Sequence, residues 1–433
     1  MKSHIKILIA AALMLCCTAM LFTLGIGAQD VQKPVPLSPA LHVLAAKTDM
    51  RVAALVGNDY TFSKDDFARA VNLSSPEYIT VTKLPDPEKG ALYVGSDGVV
   101  TGQTLRAKDL SLLTFEPVGS SAGQSSFYFT VNGGAYEMEC VVYMLGSINA
   151  SPTTAALPSG AASLQVYANT TAHSVLGGYD PEGDALTFEV VSYPSSGILC
   201  MQNCATGAYT YTPGKDFVGQ DSFVYVLRDC YGNYSTAKTV SISVGTCSVS
   251  RPYDDLSGLA CTTDALRMTE LGLMSGTQKG SLYCFEPLRE VSRVDFLVTA
   301  MNAVGMKCDS VADSGFADDD QIPTAMKGYV KTAYEKGYVG ATSQKGELYF
   351  NPNETISRGE AAVILSNLIG YANQKIPAGF TDTVPTFAED AVVSLYSLGI
   401  LQTPDGSVQA SAPMRRADLA MWLSKTIALI KGK

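Results

Sequence analysis

The sequence ISRGE at residues 356–360 has two relatives in the same chain, VSRVD at 291–295 and MRRAD at 414–418. In the first two copies a serine, Ser292 or Ser357, precedes an apolar stretch with helical spacing. An acidic residue follows each serine three positions later, as Asp295 or Glu360. This spacing predicts a capping box, because the hydroxyl accepts an N–H of the first turn and the acidic side chain reaches back to the serine. We therefore expect a helix to begin at each motif.

The third copy departs from this pattern at its first polar position. Arg415 stands where the other copies have serine, while Asp418 keeps the acidic position of the cap. The third helix therefore loses the hydroxyl cap and gains a positive charge.

The segments around the three motifs repeat as well. Each motif is preceded by an aromatic-x-Asp opening, with YDD at 253–255, FAD at 316–318 and FTD at 380–382. A first helix then ends in glycine, which readily adopts the left-handed conformation that closes a helix. The sequence therefore predicts three helical repeats at residues 247–311, 312–374 and 375–433.

The arginine of each motif, at Arg293, Arg358 and Arg416, is predicted to occupy the first helical turn. A helix N-terminus carries a partial positive charge, and a guanidinium adds a planar fork that suits a carboxylate or phosphate. The alternative is that each arginine merely pairs with a neighbouring carboxylate. The threefold recurrence of the arginine favours an anion site.

Together these features resemble S-layer homology (SLH) motifs, three of which commonly stand in tandem at a chain terminus. The resemblance implies an all-α bundle with pseudo-threefold symmetry whose grooves bind a pyruvylated secondary cell wall polymer. The ketal carboxylate of that polymer would meet Arg293, Arg358 and Arg416. The resemblance also matches three opening aspartates, which we expect to cap the first helices: Asp255, Asp318 and Asp382.

One family feature is weak in this chain. SLH motifs usually carry an aromatic residue twelve positions before the glycine that ends the first helix, but here that position holds Ala260, Ala325 and Phe387. A groove without the aromatic ring loses stacking area against a sugar, so we expect one or two of the three grooves not to bind. Phe387 and Arg415 join the three motif arginines as predicted ligand contacts. The single tryptophan, Trp422, is expected in the core.

The middle of the chain contains a different repeat. LTFEP at 113–117 matches YTYTP at 209–213, and each is followed by Gly-Gln and a run of alternating aromatic residues. Short runs rich in β-branched and aromatic residues, separated by turn residues, predict two all-β sandwich domains at 41–147 and 148–246. The second copy resembles bacterial cadherin-like and Ig-like tandem modules, which usually serve as stalks or adhesive spacers.

Acidic residues at Asp180, Glu182 and Asp184, with Asp229 further along, could supply oxygen ligands to Ca²⁺. A solvated turn explains the same residues. We expect no other cofactor.

Composition and the N-terminus limit the partners and the cellular location. A net charge of −10 and a pI near 4.9 argue against nucleic acid. A basic head followed by an apolar run predicts a signal peptide at 1–28 and a linker at 29–40, with an uncleaved membrane anchor as the competing interpretation. The eight cysteines beyond it suit either disulfides or free thiols.

These features predict a multidomain, exported protein of the cell surface that is held non-covalently on the cell wall. We expect it not to be an enzyme, because residues 41–245 show no catalytic motif and contain only two histidines. A wall-anchored carbohydrate-active enzyme and an adhesin are the alternatives.

Overall fold

The computed structural model describes residues 49–71, 76–154, 163–249, 253–370, 380–403 and 405–431. The predicted signal peptide and linker lie outside these residues. Within them, no helix has both the length and the apolar character needed to cross a membrane.

The first part of the described chain is a β-rich domain with one short helix, α1. Its elements are β1 (Asp49–Leu55), β2 (Tyr60–Thr61), α1 (Lys64–Val71), β3 (Tyr78–Lys83), β4 (Gly90–Val94), β5 (Asp97–Gly98), β6 (Thr104–Arg106), β7 (Leu113–Pro117), β8 (Gly123–Val131) and β9 (Glu137–Leu145).

Two sheets form this first domain, one in the order β1-β9-β8-β3-β6 and one in the order β2-β7-β4-β5. The first strand pairs in parallel with the last, and the remaining pairs are antiparallel. Alternation along β8 buries Phe127 and Phe129, which pack with Phe62 and Phe67 of the same core. A pair of sheets with a shared apolar core, and strands whose buried and exposed residues alternate, are both typical of a β-sandwich.

The second domain is built in the same way. Its strands are β10 (Thr153–Thr154), β11 (Ser163–Tyr167), β12 (Ala172–Val175), β13 (Gly178–Tyr179), β14 (Thr187–Ser192), β15 (Gly197–Asn203), β16 (Ala208–Pro213), β17 (Gly219–Arg228) and β18 (Lys238–Gly245). They form sheets in the orders β11-β18-β17-β14, β12-β16-β15 and β10-β13, and β11 again pairs in parallel with the last strand.

The sequence repeat between the two domains has a common packing cause. A Cβ added at Gly90 would lie 2.2 Å from the ring of Phe115, and one added at Gly197 would lie 2.5 Å from the ring of Tyr211. In both domains a buried aromatic ring therefore occupies the space above a glycine on the neighbouring strand. This contact explains why glycine and the aromatic residue recur together.

The C-terminal part is mainly helical. Its elements are α2 (Thr262–Glu270), β19 (Thr277–Lys279), β20 (Leu282–Cys284), α3 (Arg293–Ala303), α4 (Lys327–Glu335), β21 (Thr342–Gln344), β22 (Glu347–Tyr349), α5 (Arg358–Ile369), α6 (Glu389–Ser397) and α7 (Arg416–Lys431). The two strand pairs are short antiparallel hairpins. One continuous cluster of buried side chains extends from Tyr253 to Leu429.

Backbone hydrogen bonds join the three motif segments in closed cycles. Val291 N–H donates to the Met414 carbonyl at 2.9 Å, Met414 N–H to Ile356 at 2.8 Å, and Ile356 N–H to Val291 at 3.1 Å. The backbone N–H groups of the three motif arginines form a second cycle. Arg293 donates to the Glu354 carbonyl, Arg358 to the Ala412 carbonyl and Arg416 to the Arg289 carbonyl, and each acceptor stands four positions before another motif arginine. Each unit therefore contacts both of the others.

Direct contacts also join neighbouring domains. Arg51 of the first domain donates to the Cys230 carbonyl of the second at 3.2 Å, and a Cβ at Gly232 would lie 1.9 Å from the Arg51 carbonyl oxygen. The second domain contacts the helical part where Gln402 Nε2 donates to Ser174 Oγ at 3.0 Å.

The eight cysteines that follow the predicted signal peptide all lie in described residues, and all are free thiols, including the neighbouring pair Cys200 and Cys204. The described residues therefore contain no disulfide bond.

Candidate functional site

The three motif arginines share a local environment. Arg293 Nε donates to the Phe350 carbonyl at 3.1 Å, and its guanidinium lies 5.3 Å from the centre of the Phe350 ring. Arg416 makes the same two contacts with Phe285, at 2.8 Å and 4.7 Å. Each arginine is therefore held by the hairpin segment of a different unit, between a carbonyl and an aromatic face.

The third such environment uses a different aromatic residue. Arg358 Nε donates to the Val408 carbonyl at 2.9 Å, but valine has no ring, and the guanidinium instead lies 5.2 Å from the centre of the Trp422 ring. Trp422 is buried in the core, as predicted from the sequence, and it replaces the missing phenylalanine as the surface below the arginine.

The three motif arginines differ in their carboxylate partners. Arg293 Nη1 lies 3.0 Å from Glu360 Oε1, and Arg358 Nη1 pairs with Asp418. Among the described residues no carboxylate oxygen lies within 4 Å of the Arg416 guanidinium, whose Nη2 donates to the Ser275 carbonyl at 2.7 Å. Pairing with a neighbouring carboxylate therefore describes two of the three arginines.

A cleft opens beside Arg416. It encloses about 240 Å³ and is lined by Leu273, Met274, Ser275, Gly276, Thr277, Arg289, Glu290, Val291, Asp295, Thr299, Arg416 and Leu419. Burial and the nearby charge of Arg289 lower the pKa of Arg416. The guanidinium is thus in an environment that opposes its positive charge, which an anion would relieve.

The predicted reciprocal capping box forms at one of the three helices, and the other two have a single capping hydrogen bond, without the predicted contact from the Asp295 side chain back to Ser292. Ser292 Oγ accepts the Asp295 N–H at 3.2 Å, whereas Ser357 and Glu360 complete a reciprocal capping box. In the third copy Asp418 accepts the Arg415 N–H at 3.2 Å. Glu360 and Asp418 consequently have two roles, because each also pairs with an arginine of another unit.

The opening aspartates do not cap the first helices, contrary to expectation. The residues at the caps of those helices are Cys261, Met326 and Ala388, and none makes a side-chain capping bond. The aspartates instead accept pairs of backbone N–H groups, with Asp255 receiving those of Phe285 and Glu286 and equivalent pairs reaching Asp318 and Asp382.

The loop geometry explains this different role. The second residue of each N–H pair has a positive φ, at 60° in Glu286, 58° in Asn351 and 53° in Gln409. Successive N–H groups in such a turn converge and form a small anion-binding concavity, which the carboxylate fills. Burial raises the pKa of Asp382, but the two N–H donors outweigh it and lower the pKa below its usual value. The recurrence of the aspartate in the sequence indicated that it is important, but it did not indicate that its partners are backbone N–H groups of a distant loop.

The other predicted ligand contacts lie outside the Arg416 cleft. Phe387 is 63% exposed, and Arg415 is exposed too, but neither side chain lines that cleft. Their assignment to a ligand stays a prediction.

The acidic residues of the second domain converge in part. Asp180, Glu182 and Asp184 each offer an oxygen within 4.8 Å of the others. Asp180 Oδ2 is buried and, among the described residues, lacks a hydrogen-bond partner. Burial and the charge of Asp180 raise the pKa of Asp184. A cation would satisfy the Asp180 oxygen and relieve the repulsion. Asp180 Oδ1 also accepts the N–H groups of Glu182 at 3.0 Å and Asp184 at 3.1 Å, as in a turn, so the geometry is compatible with both alternatives.

Asp229 has a different function from the predicted one. Its two oxygens accept the N–H groups of Tyr231 and Asn233 and the side-chain amides of Asn149 and Asn233. Because these donors occupy both oxygens, Asp229 holds the segment between the two domains and does not join the three converging carboxylates.

Family models match two parts of the chain, a bacterial cadherin-like domain at residues 149–246 and an S-layer homology domain at 315–362. The chain therefore contains a cadherin-like module followed by an SLH motif, as the resemblance predicted. Only the second helical unit is matched, and not the predicted units at 247–311 and 375–433. No curated protein matches the sequence.

Several solved structures are similar to parts of the chain. An endo-fucoidan hydrolase of glycoside hydrolase family 107 is 20% identical over 46% of this chain, which spans 28% of that protein, with a TM-score of 0.18. Fibronectin(III)-like modules of Clostridium thermocellum CbhA are 15% identical over 46% of this chain and 93% of theirs, with a TM-score of 0.19. Drosophila N-cadherin EC1-3 is 13% identical over 46% and 63%, with a TM-score of 0.21. TM-scores this low do not establish a common fold.

Proposed function

We propose that this protein is exported and anchored non-covalently to the cell wall by its helical part, which binds a secondary cell wall polymer. The two β-rich domains form the spacer or adhesive part that faces outward. The matched SLH domain supports association with the cell wall, and the matched cadherin-like domain supports the spacer or adhesive role.

The helical part is proposed to be a pseudo-threefold bundle of three SLH motifs. The cyclic hydrogen bonds among Val291, Ile356 and Met414 support this arrangement, as does the second cycle from the motif arginines. The family model matches only the second unit. Two local departures fit the absence of a match in the third unit, which has neither the Phe-x-Pro segment nor the capping serine.

The observation that carries the proposal is the arginine held at the N-terminus of a helix in each unit. An acidic wall polymer, such as one bearing a pyruvate ketal, presents carboxylates that a guanidinium binds through paired hydrogen bonds. At least one of the three arginines is proposed to make this contact.

Co-sedimentation of the chain lacking residues 1–28 with purified cell walls tests the anchor. We expect binding to native walls, loss of binding when acid extraction has removed the secondary polymer, and loss in a variant with Arg293, Arg358 and Arg416 all replaced by glutamine. Intact folding of the variant is checked by far-ultraviolet circular dichroism, because Arg358 lies against the Trp422 ring and its replacement would itself change the tryptophan fluorescence. Equal binding to native and extracted walls would show that the polymer is not the ligand.

The protein is proposed to have no enzymatic activity, with a wall-anchored carbohydrate-active enzyme as the alternative. Incubation with wall polymer, followed by chromatography of released sugars, separates the two. Release of oligosaccharides above the level of a heat-denatured sample would favour the enzyme.

A second proposed property is Ca²⁺ binding by Asp180, Glu182 and Asp184. Glu182 also accepts the Ala150 N–H at 3.2 Å, which places the acidic residues next to the segment between the β-rich domains. A bound cation would therefore stiffen that joint. We expect millimolar Ca²⁺ to raise the melting temperature of the β-rich domains, and Asp180→Asn to abolish the rise while the exposed-site control Asp97→Asn keeps it. An equal rise in both variants would exclude this site.

A further inference from the structure

We propose that the acidic group of the wall polymer binds at one place only, the Arg416 cleft, because Glu360 and Asp418 already neutralise Arg293 and Arg358. This inference rests on the proposed wall-binding function and narrows it to one of three similar sites.

The two paired arginines are enclosed as well as neutralised. The Arg293 side chain is 14% exposed and that of Arg358 is 12% exposed, and each lies between an aromatic ring and a carbonyl. A ligand carboxylate would have to displace a protein carboxylate that the fold holds permanently in contact. Because an intramolecular partner acts at a high effective concentration, it outcompetes a free ligand of the same chemistry.

Arg416 has no such internal competitor in the part of the chain that the structure describes. Its two hydrogen bonds go to the neutral carbonyl oxygens of Phe285 and Ser275, so neither of them neutralises the positive charge as the ion pairs of Arg293 and Arg358 do. Asp295 occupies the position that Glu360 and Asp418 hold in the other units, but its carboxylate stays more than 4 Å from Arg416 and the residue is exposed. The guanidinium therefore keeps N–H donors for a ligand.

The other charged residues of the cleft are engaged with different partners. Arg289 pairs with Glu286 at 3.0 Å, and Glu290 accepts the hydroxyl of Thr355 at 3.0 Å. Asp295 faces the cleft without a pairing partner among the described residues, and its carboxylate, like that of Glu290, repels an anion there. Its removal should strengthen binding.

The size of the cleft limits the ligand. A volume of about 240 Å³ is below the range of about 300–1,000 Å³ that is usual for drug-sized ligands. It suits a single sugar unit that carries a carboxylate, with the rest of the polymer outside.

Saturation binding of the chain lacking residues 1–28 to native cell walls tests the assignment. We expect Arg416→Gln to raise the half-saturating concentration by about 10- to 100-fold, the effect of losing a hydrogen bond between charged groups. Arg416→Lys should restore part of the affinity because it keeps the charge. Arg293→Gln and Arg358→Gln should stay within about twofold of the unaltered chain, and Asp295→Asn should bind more tightly.

Removing an internal carboxylate gives a complementary test. Glu360→Gln keeps the capping group of its helix but frees Arg293, so titration calorimetry with an acidic oligosaccharide released from the polymer should change from one site per chain to two. A single site in Glu360→Gln would refute the blocking role.

The outcomes separate this inference from the function on which it rests. If the unaltered chain fails to bind native walls, the anchor proposal and this inference both fail. If it binds, but Arg416→Gln binds equally well or folded Arg293→Gln and Arg358→Gln lose as much, the anchor survives and the single-site inference is overturned.

Discussion

Replacing Asp318 by alanine should destabilise the helical part severely. The Asp318 carboxylate is buried and accepts the N–H groups of Phe350 at 3.0 Å and Asn351 at 2.7 Å. Each hydrogen bond to a charged group contributes about 1.5–3 kcal/mol, so Asp318→Ala should lower the free energy of unfolding by about 3–6 kcal/mol. The effect is large because Asp318 is buried and both N–H groups lose their charged acceptor.

The single tryptophan makes this change measurable in the full chain. Trp422 lies in the core of the helical part, so its fluorescence during urea unfolding reports that part and not the β-rich domains. With an m value of about 2.5 kcal/mol per molar urea, the unfolding midpoint should fall by about 1.2–2.4 M. Asp318→Asn keeps one acceptor oxygen and should give an intermediate shift.

Asp320→Ala is the matched control, because it removes the same group from an exposed residue two positions away. Its free energy of unfolding should change by less than about 0.5 kcal/mol. Equal midpoints for Asp318→Ala and Asp320→Ala would refute the conclusion that the buried carboxylate holds the loop.

Two further predictions concern the joint between the β-rich domains and the pH dependence of the helical part. Gly232 has a φ of 100°, and its added Cβ would lie 1.9 Å from the Arg51 carbonyl oxygen. Gly232→Ala should therefore loosen the joint, which faster proteolysis within residues 146–152 and a larger radius of gyration would reveal; an unchanged digestion pattern would contradict this. Hydrogen bonds from Lys327, and then from Ser314, lower the pKa of Asp319 from 3.8 to about 2. The pKa of Asp319 is lower in the folded than in the unfolded state, so its ion pair stabilises the fold above about pH 4 and this stability is lost as the pH falls toward 2. The Trp422 unfolding midpoint should therefore fall between pH 4 and 2. Asp319→Asn should flatten this fall, and superimposable pH curves would count against the ion pair.

The helix starts could be predicted because caps are local. Ser292 and Ser357 bond to N–H groups three residues ahead, so the spacing of two residue types carries the whole signal. The start of the third helix was also predicted, although its cap consists only of the hydrogen bond from the Arg415 N–H to the Asp418 carboxylate.

The role of the opening aspartates could not be predicted, because their partners lie far along the chain. The Asp318 carboxylate accepts N–H groups from residues 32 and 33 positions away. They lie in a turn in which Asn351 has a positive φ, and because this residue is not glycine, the sequence gives no signal of that conformation. A recurring aspartate beside a predicted helix suggested a cap, which is the commonest local use of that residue.

By itself, the sequence determined the succession of a β-rich part and a helical part, together with the motif that begins three helices. Period-two alternation, capping and glycine ends are properties of a few adjacent residues, so they can be read without knowing what lies opposite. Tertiary structure alone decided which motif arginine stays open. The pairs Arg293–Glu360 and Arg358–Asp418 span 67 and 60 residues. Among the described residues Arg416 has no such pair, and its Nη2 donates to the Ser275 carbonyl instead. Three related motifs that share an arginine followed two positions later by an acidic residue thus acquire different electrostatic environments through contacts between units, which no local pattern encodes.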